Sequence, residues 1–203
     1  TICLKIKYYG DINMKVNTYL TDGFETVEAL AVIDILRRAG ITVDVVSVTG
    51  DLNVTSAQNV IVVADRLLND ESEEADVLFL PGGPGTASYK DVAGLKELFI
   101  SQAYQEKGIA AICAAPSVLG EWGLLEGKNA TAFPGFESKL IGAKVQKAPA
   151  RVVIDGNILT ARGMGTAVDL GLALVEYLQD ESSAIDLGIE LQYLEESEKE
   201  LFK

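Results

Sequence analysis

Apolar residues follow two patterns along this chain: short runs, and longer segments in which they recur every three or four positions. The first pattern is typical of β-strands and the second of amphipathic helices. The predicted strands are Met14 to Leu20, 41–48, 60–63, 76–80, 108–113, a short one near Ala130, and 151–160. The predicted helices are 25–39, which stops at Gly40, then 92–106, a short one from Ala115 or Pro116 to about Trp122, 166–178, and an acidic segment over 183–198.

Strands and helices alternate over the first two thirds of the chain. This order predicts an α/β protein with a doubly wound, mostly parallel sheet, helices on both faces and functional loops at the carboxyl ends of the strands. A length of 203 residues with 48% hydrophobic content suits a single domain. We expect this domain to span residues 14–193. Residues 1–13 precede the first methionine and are predicted to be an extension, native or added, and residues 194–203 an acidic tail.

The charge balance limits the possible partners. Seventeen basic residues against 30 acidic ones give a net charge of -13, which repels nucleic acid and anionic membranes. The chain has no apolar stretch of membrane-spanning length and no signal-peptide pattern at its start. We therefore expect a cytoplasmic protein that binds neither nucleic acid nor membrane.

The chain contains no histidine and only two cysteines, Cys3 and Cys113. A Ser-His-Asp or Cys-His triad is thus excluded, and neither a disulfide framework nor a cysteine-based zinc site is expected. Any catalysis must use cysteine, carboxylates, tyrosine, lysine, arginine or backbone groups. No metal or other cofactor is predicted.

Cys113 ends an apolar strand and is followed by Ala114, Ala115 and Pro116. Small residues allow a tight strand-to-helix turn, and proline favours the first turn of a helix, so the segment resembles a nucleophile elbow. The start of the helix is expected to lower the pKa of the thiol. The alternative is a small apolar residue buried in a core strand, and Cys3 is interpreted as an incidental thiol.

Two further features could serve the same site. The turn Pro81, Gly82, Gly83 follows a strand, and its backbone N–H groups could form an oxyanion hole together with the N–H of Ala114, although such turns are often purely structural.

Glu28 lies among apolar residues of the first helix. It is either an exposed surface residue or a carboxyl held in a cleft, where burial would keep it neutral and able to donate a hydrogen bond to a thiolate.

Four motifs occur in an order and spacing that resemble the ThiJ/PfpI superfamily, in particular its small single-domain branch, which contains the parkinsonism-associated protein deglycase. These are DGFETVEALAVIDILRRAG, LPGGPG, AAICAAP and ILTARGMGTAVDLGLALVEYL, and the resemblance covers residues 14 to 193. It implies a flavodoxin-like fold, as in class I glutamine amidotransferases. It also implies a homodimer packed partly through the first helix.

The resemblance assigns roles to individual residues. Cys113 corresponds to the nucleophilic and oxidisable cysteine of the family, and Glu28 to the carboxyl that hydrogen-bonds it. The oxyanion-type donors fall on Gly83 and Ala114. Arg162 lies in a segment that approaches the same site.

Some positions depart from the family. The peptidase-like branches have a histidine after the cysteine, where this chain has Ala114, so a Cys-His peptidase is disfavoured. Phe133 stands where some relatives carry a histidine, and Gln58 where some carry an arginine. With Gly82 and Arg162, Phe133 is expected to line the pocket.

The resemblance implies a glyoxalase or deglycase that acts on 2-oxoaldehydes or their glycated adducts. Cys113 would form a hemithioacetal and Glu28 would shuttle the proton. The alternative is an oxidative-stress sensor, or a protective chaperone-like protein, that uses an oxidisable Cys113 without turnover. The residues fit both hypotheses.

Overall fold

The computed structural model describes residues 14–68 and 74–195. Its strands are β1 (Lys15–Leu20), β2 (Thr42–Ser47), β3 (Asn53–Thr55), β4 (Ile61–Val63), β5 (Arg66–Leu67), β6 (Val77–Leu80), β7 (Gly108–Ile112), β8 (Asn129–Ala130), β9 (Lys144–Val145), β10 (Val152–Asp155) and β11 (Ile158–Ala161). Its α-helices are α1 (Thr26–Arg38), α2 (Leu95–Tyr104), α3 (Pro116–Glu121), α4 (Ala167–Leu178) and α5 (Glu181–Glu190). Short 3-10 helices cover Pro84–Asp91, Glu137–Lys139 and Met164–Thr166.

Seven strands form the central sheet, in the order β10-β11-β7-β6-β1-β2-β5. Neighbouring strands are parallel except β10, which pairs antiparallel with β11 at one edge. A small antiparallel ribbon pairs β3 with β4, and β8 pairs with β9. The predicted doubly wound, mostly parallel α/β fold is confirmed.

The core has one apolar layer on each face of the sheet. Side chains of α1, α4 and α5 pack against one face, and those of α2 and α3 against the other. Strand β6 shows why the central strands are apolar throughout: Val77 and Phe79 belong to the first layer, while Leu78 and Leu80 belong to the second. A strand covered by helices on both faces has no solvent side to fill with polar residues.

The structure corrects three predicted elements. The single strand over 151–160 is a hairpin, β10 and β11, which turns at Gly156 with a φ of 63°. The predicted helix 92–106 starts later, at Leu95, because Gly94 adopts a left-handed conformation with a φ of 80°. The acidic helix ends at Glu190, well short of residue 198.

Two predicted segments cannot be compared with the structure. Residues 1–13, with Cys3, and residues 196–203 of the acidic tail lie outside the described residues. Within the described part, no helix is both long enough and apolar enough to cross a membrane.

The sheet order brings four loops to one edge. Strands β11, β7, β6 and β1 are parallel neighbours, so their carboxyl ends lie side by side. The segments that follow these strands carry Arg162, Cys113, Gly82 and the start of α1. Ligands of such folds bind at this edge, and the candidate residues are therefore found there.

Candidate functional site

Cys113 occupies a sharp turn directly after β7. Its φ is 64°, in the left-handed region that residues other than glycine rarely adopt. The Cys113 N–H donates to the Ala161 carbonyl at 2.9 Å, and the Cys113 carbonyl accepts from the Phe133 N–H at 2.8 Å. The Ala115 N–H closes the turn on the Ile112 carbonyl at 3.0 Å. These bonds hold a conformation that costs about 1–2 kcal/mol in an isolated chain.

Glu28 is buried, with 1% of its surface exposed. It lies in the first turn of α1, where Glu25 caps the helix by accepting the Glu28 N–H at 2.7 Å. The Gly82 N–H donates to Oε2 of Glu28 at 3.0 Å, while Oε1 is buried without a hydrogen-bond partner of good geometry in the described part. The interpretation of Glu28 as an exposed surface residue is therefore wrong.

Gly82 brings the cysteine and the carboxyl together. A Cβ at this position would lie 2.6 Å from Cβ of Cys113 and 2.6 Å from Oε2 of Glu28, both far inside van der Waals contact. The absence of a side chain at Gly82 therefore lets the two residues approach each other from opposite sides.

We expect Gly82→Ala to separate Cys113 from Glu28 and to destabilise the protein by about 1–3 kcal/mol, the usual cost of overpacking. Gly165→Ala is the matched control, because a Cβ there would meet nothing within 4 Å. Denaturant unfolding and Cys113 alkylation rates test both variants. Equal stability and alkylation in Gly82→Ala and wild type would contradict the tight packing.

Two backbone donors face the sulfur of Cys113. The N–H groups of Ala114 and Gly83 both hydrogen-bond to it. Gly83 has a φ of 107°, and a Cβ there would lie 2.5 Å from the Glu25 nitrogen and the Gly23 carbonyl oxygen. A glycine is thus required for the turn that aims the Gly83 N–H at the sulfur, and the pair of donors has the arrangement of an oxyanion site.

Burial, together with the smaller effect of the nearby Glu25 charge, raises the pKa of Glu28 from 4.5 to about 7, against hydrogen bonds from Cys113, Gly82 and Met164 that lower it. The carboxyl is therefore about half protonated at neutral pH and largely protonated below it. This is the environment that a neutral, donating carboxyl requires.

The expectation of a lowered thiol pKa is wrong for this site. Burial, followed by the charge and hydrogen bond of Glu28, raises the pKa of Cys113 from 9.0 to about 12, although the N–H groups of Ala114 and Gly83 oppose the rise. Helix α3 has only six residues, so its dipole is too weak to offset burial and a neighbouring carboxylate. Burial makes the largest contribution to this rise, and a smaller part depends on an ionised Glu28.

The two groups therefore titrate as a pair. The first proton leaves with an apparent pKa of about 7 and the second at about 12. Between these values the pair holds one proton, and the higher pKa of the thiol keeps it mainly on Cys113. The Cys113 thiolate beside a protonated Glu28 is the minor form of the pair, and it puts only one negative charge in the site.

Folding stability should fall as pH rises from 4.5 to 7, because folded Glu28 keeps a proton that the unfolded chain has lost. The contribution of Glu28 should lower the free energy of unfolding by up to about 3 kcal/mol, and this loss should stay constant above pH 7. The difference in unfolding free energy between wild type and Glu28→Gln isolates this contribution. A difference that does not change with pH would show that Glu28 ionises normally in the folded protein.

The remaining predicted residues lie around this centre. Phe133 is 47% exposed, and its ring lies 3.1 Å from where a Cβ of Gly163 would be. Arg162 directly follows Ala161, whose carbonyl accepts the Cys113 N–H. The Nε of Arg162 is buried and has no hydrogen-bond partner of good geometry in the described part of the chain. Gln58 lies at the exposed start of α1, where its Oε1 accepts the hydroxyl of Thr26 at 2.6 Å.

Sequence reasoning missed three residues. Glu25 caps the helix at the Glu28 N–H and is also a charge close to the Glu28 carboxyl. The spacing of the two glutamates, three positions apart at the start of a predicted helix, could have indicated this cap. The Met164 N–H faces the Glu28 carboxyl. Tyr89 is fully buried and donates to the Tyr19 carbonyl at 2.8 Å, and nothing in the sequence pattern singled it out.

Over residues 14–68 and 74–195, no group of three or more histidine, cysteine, aspartate or glutamate residues could hold an ion. The chemistry of the site rests on one thiol, one carboxyl and backbone N–H groups.

The sequence model of the DJ-1/PfpI family matches residues 14–177. The chain belongs to the DJ-1/PfpI family. The DJ-1 homologue A of Arabidopsis thaliana is 40% identical over 172 residues, which are 83% of this chain but 44% of that protein. The Parkinson disease protein 7 homologue of Danio rerio is 36% identical over 78% of this chain and 86% of its own length.

Structures of DJ-1 proteins agree with the fold. The structure described as oxidized Toxoplasma gondii DJ-1 superposes with a TM-score of 0.85 at 35% identity, covering 90% of this chain and all of that one.

A more distant relative, 29% identical over 76% of this chain and 83% of its own length, is named a glutathione-independent glyoxalase in Caenorhabditis elegans. The chain spans about two fifths of the length of the two Arabidopsis DJ-1 homologues it matches.

Proposed function

We propose that this protein is a cofactor-independent enzyme of the glyoxalase or deglycase type, acting on 2-oxoaldehydes or their adducts. The observation that carries the proposal is the buried Glu28 carboxyl, which lies across Gly82 from Cys113 and has a pKa raised to about 7. A proton-transfer group beside a nucleophile is what the isomerisation of a 2-oxoaldehyde to a 2-hydroxy acid requires. The glyoxalase name of the Caenorhabditis relative supports the same reaction.

The first step forms a carbon–sulfur bond. The Cys113 thiolate attacks the aldehyde carbon, and the electrons of the carbonyl double bond move to its oxygen. The N–H groups of Gly83 and Ala114, which face the sulfur, are positioned to donate to this oxyanion. Glu28 then gives its proton to the oxygen, which yields a neutral hemithioacetal and a Glu28 carboxylate.

The second step moves hydrogen between the two substrate carbons. The Glu28 carboxylate takes the proton from the former aldehyde carbon, and the electron pair forms an enediolate. The hydroxyl proton passes to the former ketone oxygen, and Glu28 returns its proton to the former ketone carbon. The product is a 2-hydroxyacyl thioester on Cys113, in which one carbon has been oxidised and its neighbour reduced.

The last step consumes water. Hydrolysis of the thioester releases the 2-hydroxy acid and restores the thiol, so methylglyoxal and one water give lactate. No external oxidant, metal or nucleotide enters the balance. In the deglycase variant, the 2-oxoaldehyde arrives as an adduct with an amine or thiol, which leaves when the aldehyde is transferred to Cys113.

A steady-state assay of lactate formation from methylglyoxal without glutathione tests the proposal. We expect continuous turnover by the full chain and none by Cys113→Ser beyond the rate without protein. Consumption of one methylglyoxal per protein, without lactate, would overturn the enzymatic function.

A second candidate function, oxidation sensing, is favoured by the same donors. A sulfinate on Cys113 would accept hydrogen bonds from the N–H groups of Ala114 and Gly83 and from a protonated Glu28. Peroxide modification of Cys113 at equal rates in folded and unfolded protein would count against this function.

We also propose that the protein forms a homodimer and that it resides in the cytoplasm. Exposed apolar side chains on α1 and the β3–β4 ribbon, namely Val27, Ile61 and Val63, suit the homodimer implied by the family. Sedimentation of the full chain tests it. Residence in the cytoplasm is a prediction for imaging of the tagged protein in cells.

A further inference from the structure

Two large apolar side chains stand half exposed beside the candidate site. Phe133 is 47% exposed and Met164 is 54% exposed. An exposed aromatic ring next to a reactive thiol can bind the apolar part of a small molecule.

The backbone fixes Phe133 relative to the nucleophile. Its N–H donates to the Cys113 carbonyl at 2.8 Å, so the two residues are tied directly together. The Phe133 ring lies 3.1 Å from where a Cβ of Gly163 would be, and Oε1 of Glu28 lies 3.8 Å from the same point. The ring and the carboxyl oxygen therefore approach Gly163 together.

Met164 follows Gly163 and completes this arrangement. Its backbone N–H faces the Glu28 carboxyl, while the residue itself is exposed. The thioether and the phenyl ring are at best weak hydrogen-bond acceptors for a hydrated, unsubstituted glyoxal. An aryl or branched alkyl group would instead lose water against them, at about 25 cal/mol for each Å² of apolar surface buried.

We propose that Phe133, with its neighbour Met164, forms an apolar subsite that selects 2-oxoaldehydes carrying an aryl or bulky alkyl substituent on the ketone carbon. This inference rests on the proposed function and names its substrate class. Position 133 then sets specificity by contact with the substituent, while Cys113 and Glu28 perform the chemistry.

The test compares phenylglyoxal with methylglyoxal as substrates. Mandelate and lactate are measured as products, so that modification of arginine by phenylglyoxal is not counted. The ratio of kcat/KM for phenylglyoxal to that for methylglyoxal should fall about tenfold in Phe133→Ala, which corresponds to about 1.4 kcal/mol. Phe133→Leu, which keeps an apolar side chain, should lose less. Tyr104→Ala removes an aromatic residue that is 90% exposed on α2 and should leave the ratio unchanged.

A second measurement does not depend on turnover. Alkylation of Cys113 by N-benzyliodoacetamide and by iodoacetamide is followed by peptide mapping in wild type and Phe133→Ala. The quantity compared is the ratio of the alkylation rate with the benzyl reagent to the rate with iodoacetamide. We expect this ratio to be higher for Cys113 in wild type than for free glutathione, and to fall to the glutathione value in Phe133→Ala. If neither lactate nor mandelate forms, the proposed function fails, and this alkylation ratio alone decides on the subsite. The same ratio in wild type and Phe133→Ala would overturn the subsite.

Discussion

Replacing Cys113 with serine should lower lactate formation from methylglyoxal by about four orders of magnitude, the usual scale for loss of a covalent nucleophile. A serine hydroxyl ionises far less readily than a thiol, and Glu28, with a pKa of about 7, is too weak a base to activate it. The Gly83 and Ala114 N–H groups stay in place in this variant, so the loss reports on the sulfur alone.

Cys3→Ser is the control for Cys113→Ser, since Cys3 is the second thiol of the chain. Its lactate formation should match wild type. Comparable losses in both variants, or a Cys113→Ser rate within tenfold of wild type, would show that the reaction does not pass through Cys113.

Replacing Glu28 with glutamine should lower kcat for methylglyoxal by about 100-fold or more, because the amide cannot take a proton from the hemithioacetal. Glutamine keeps a hydrogen-bond donor of nearly the same size, so the thiolate should still form and alkylation of Cys113 should persist. Glu28→Leu should impair both alkylation and turnover. Steady-state kinetics and alkylation rates of the three proteins separate these roles.

The pH profile adds a check on the role of Glu28. In wild type, kcat/KM should rise with pH around an apparent pKa of about 7, as the pair loses its first proton, and should then level off. Wild-type turnover in Glu28→Gln would remove Glu28 as the proton shuttle. No histidine is available in the chain to take its place.

Much of the fold follows from local patterns in the sequence. The apolar runs that became β6 and β7 are buried on both faces, so their hydrophobicity was sufficient to locate them. The hairpin of β10 and β11 was missed because both its strands are apolar and only Asp155, Gly156 and Asn157 mark the turn. The ends of α2 and α5 depend on single residues in left-handed conformations, Gly94 and Gln192, which periodicity does not reveal.

The site could be predicted only as far as each residue acts locally. Cys113 was recognisable because the small residues after it permit a sharp turn. The burial of Glu28 was left open, since it depends on the approach of Gly82 from a strand more than 50 positions away along the chain. The thiol pKa was predicted in the wrong direction for the same reason: the charge and the burial that raise it come from distant segments.

Rapid-quench mass spectrometry of the Cys113 peptide during reaction with methylglyoxal tests the central claim most directly. In Glu28→Gln, an adduct of one methylglyoxal should accumulate on Cys113 while lactate is nearly absent. In wild type, the same adduct should form and disappear as lactate is released. Lactate formation by wild type with no adduct on Cys113 at any time, or an adduct on Cys113 that persists in wild type without lactate, would contradict the account.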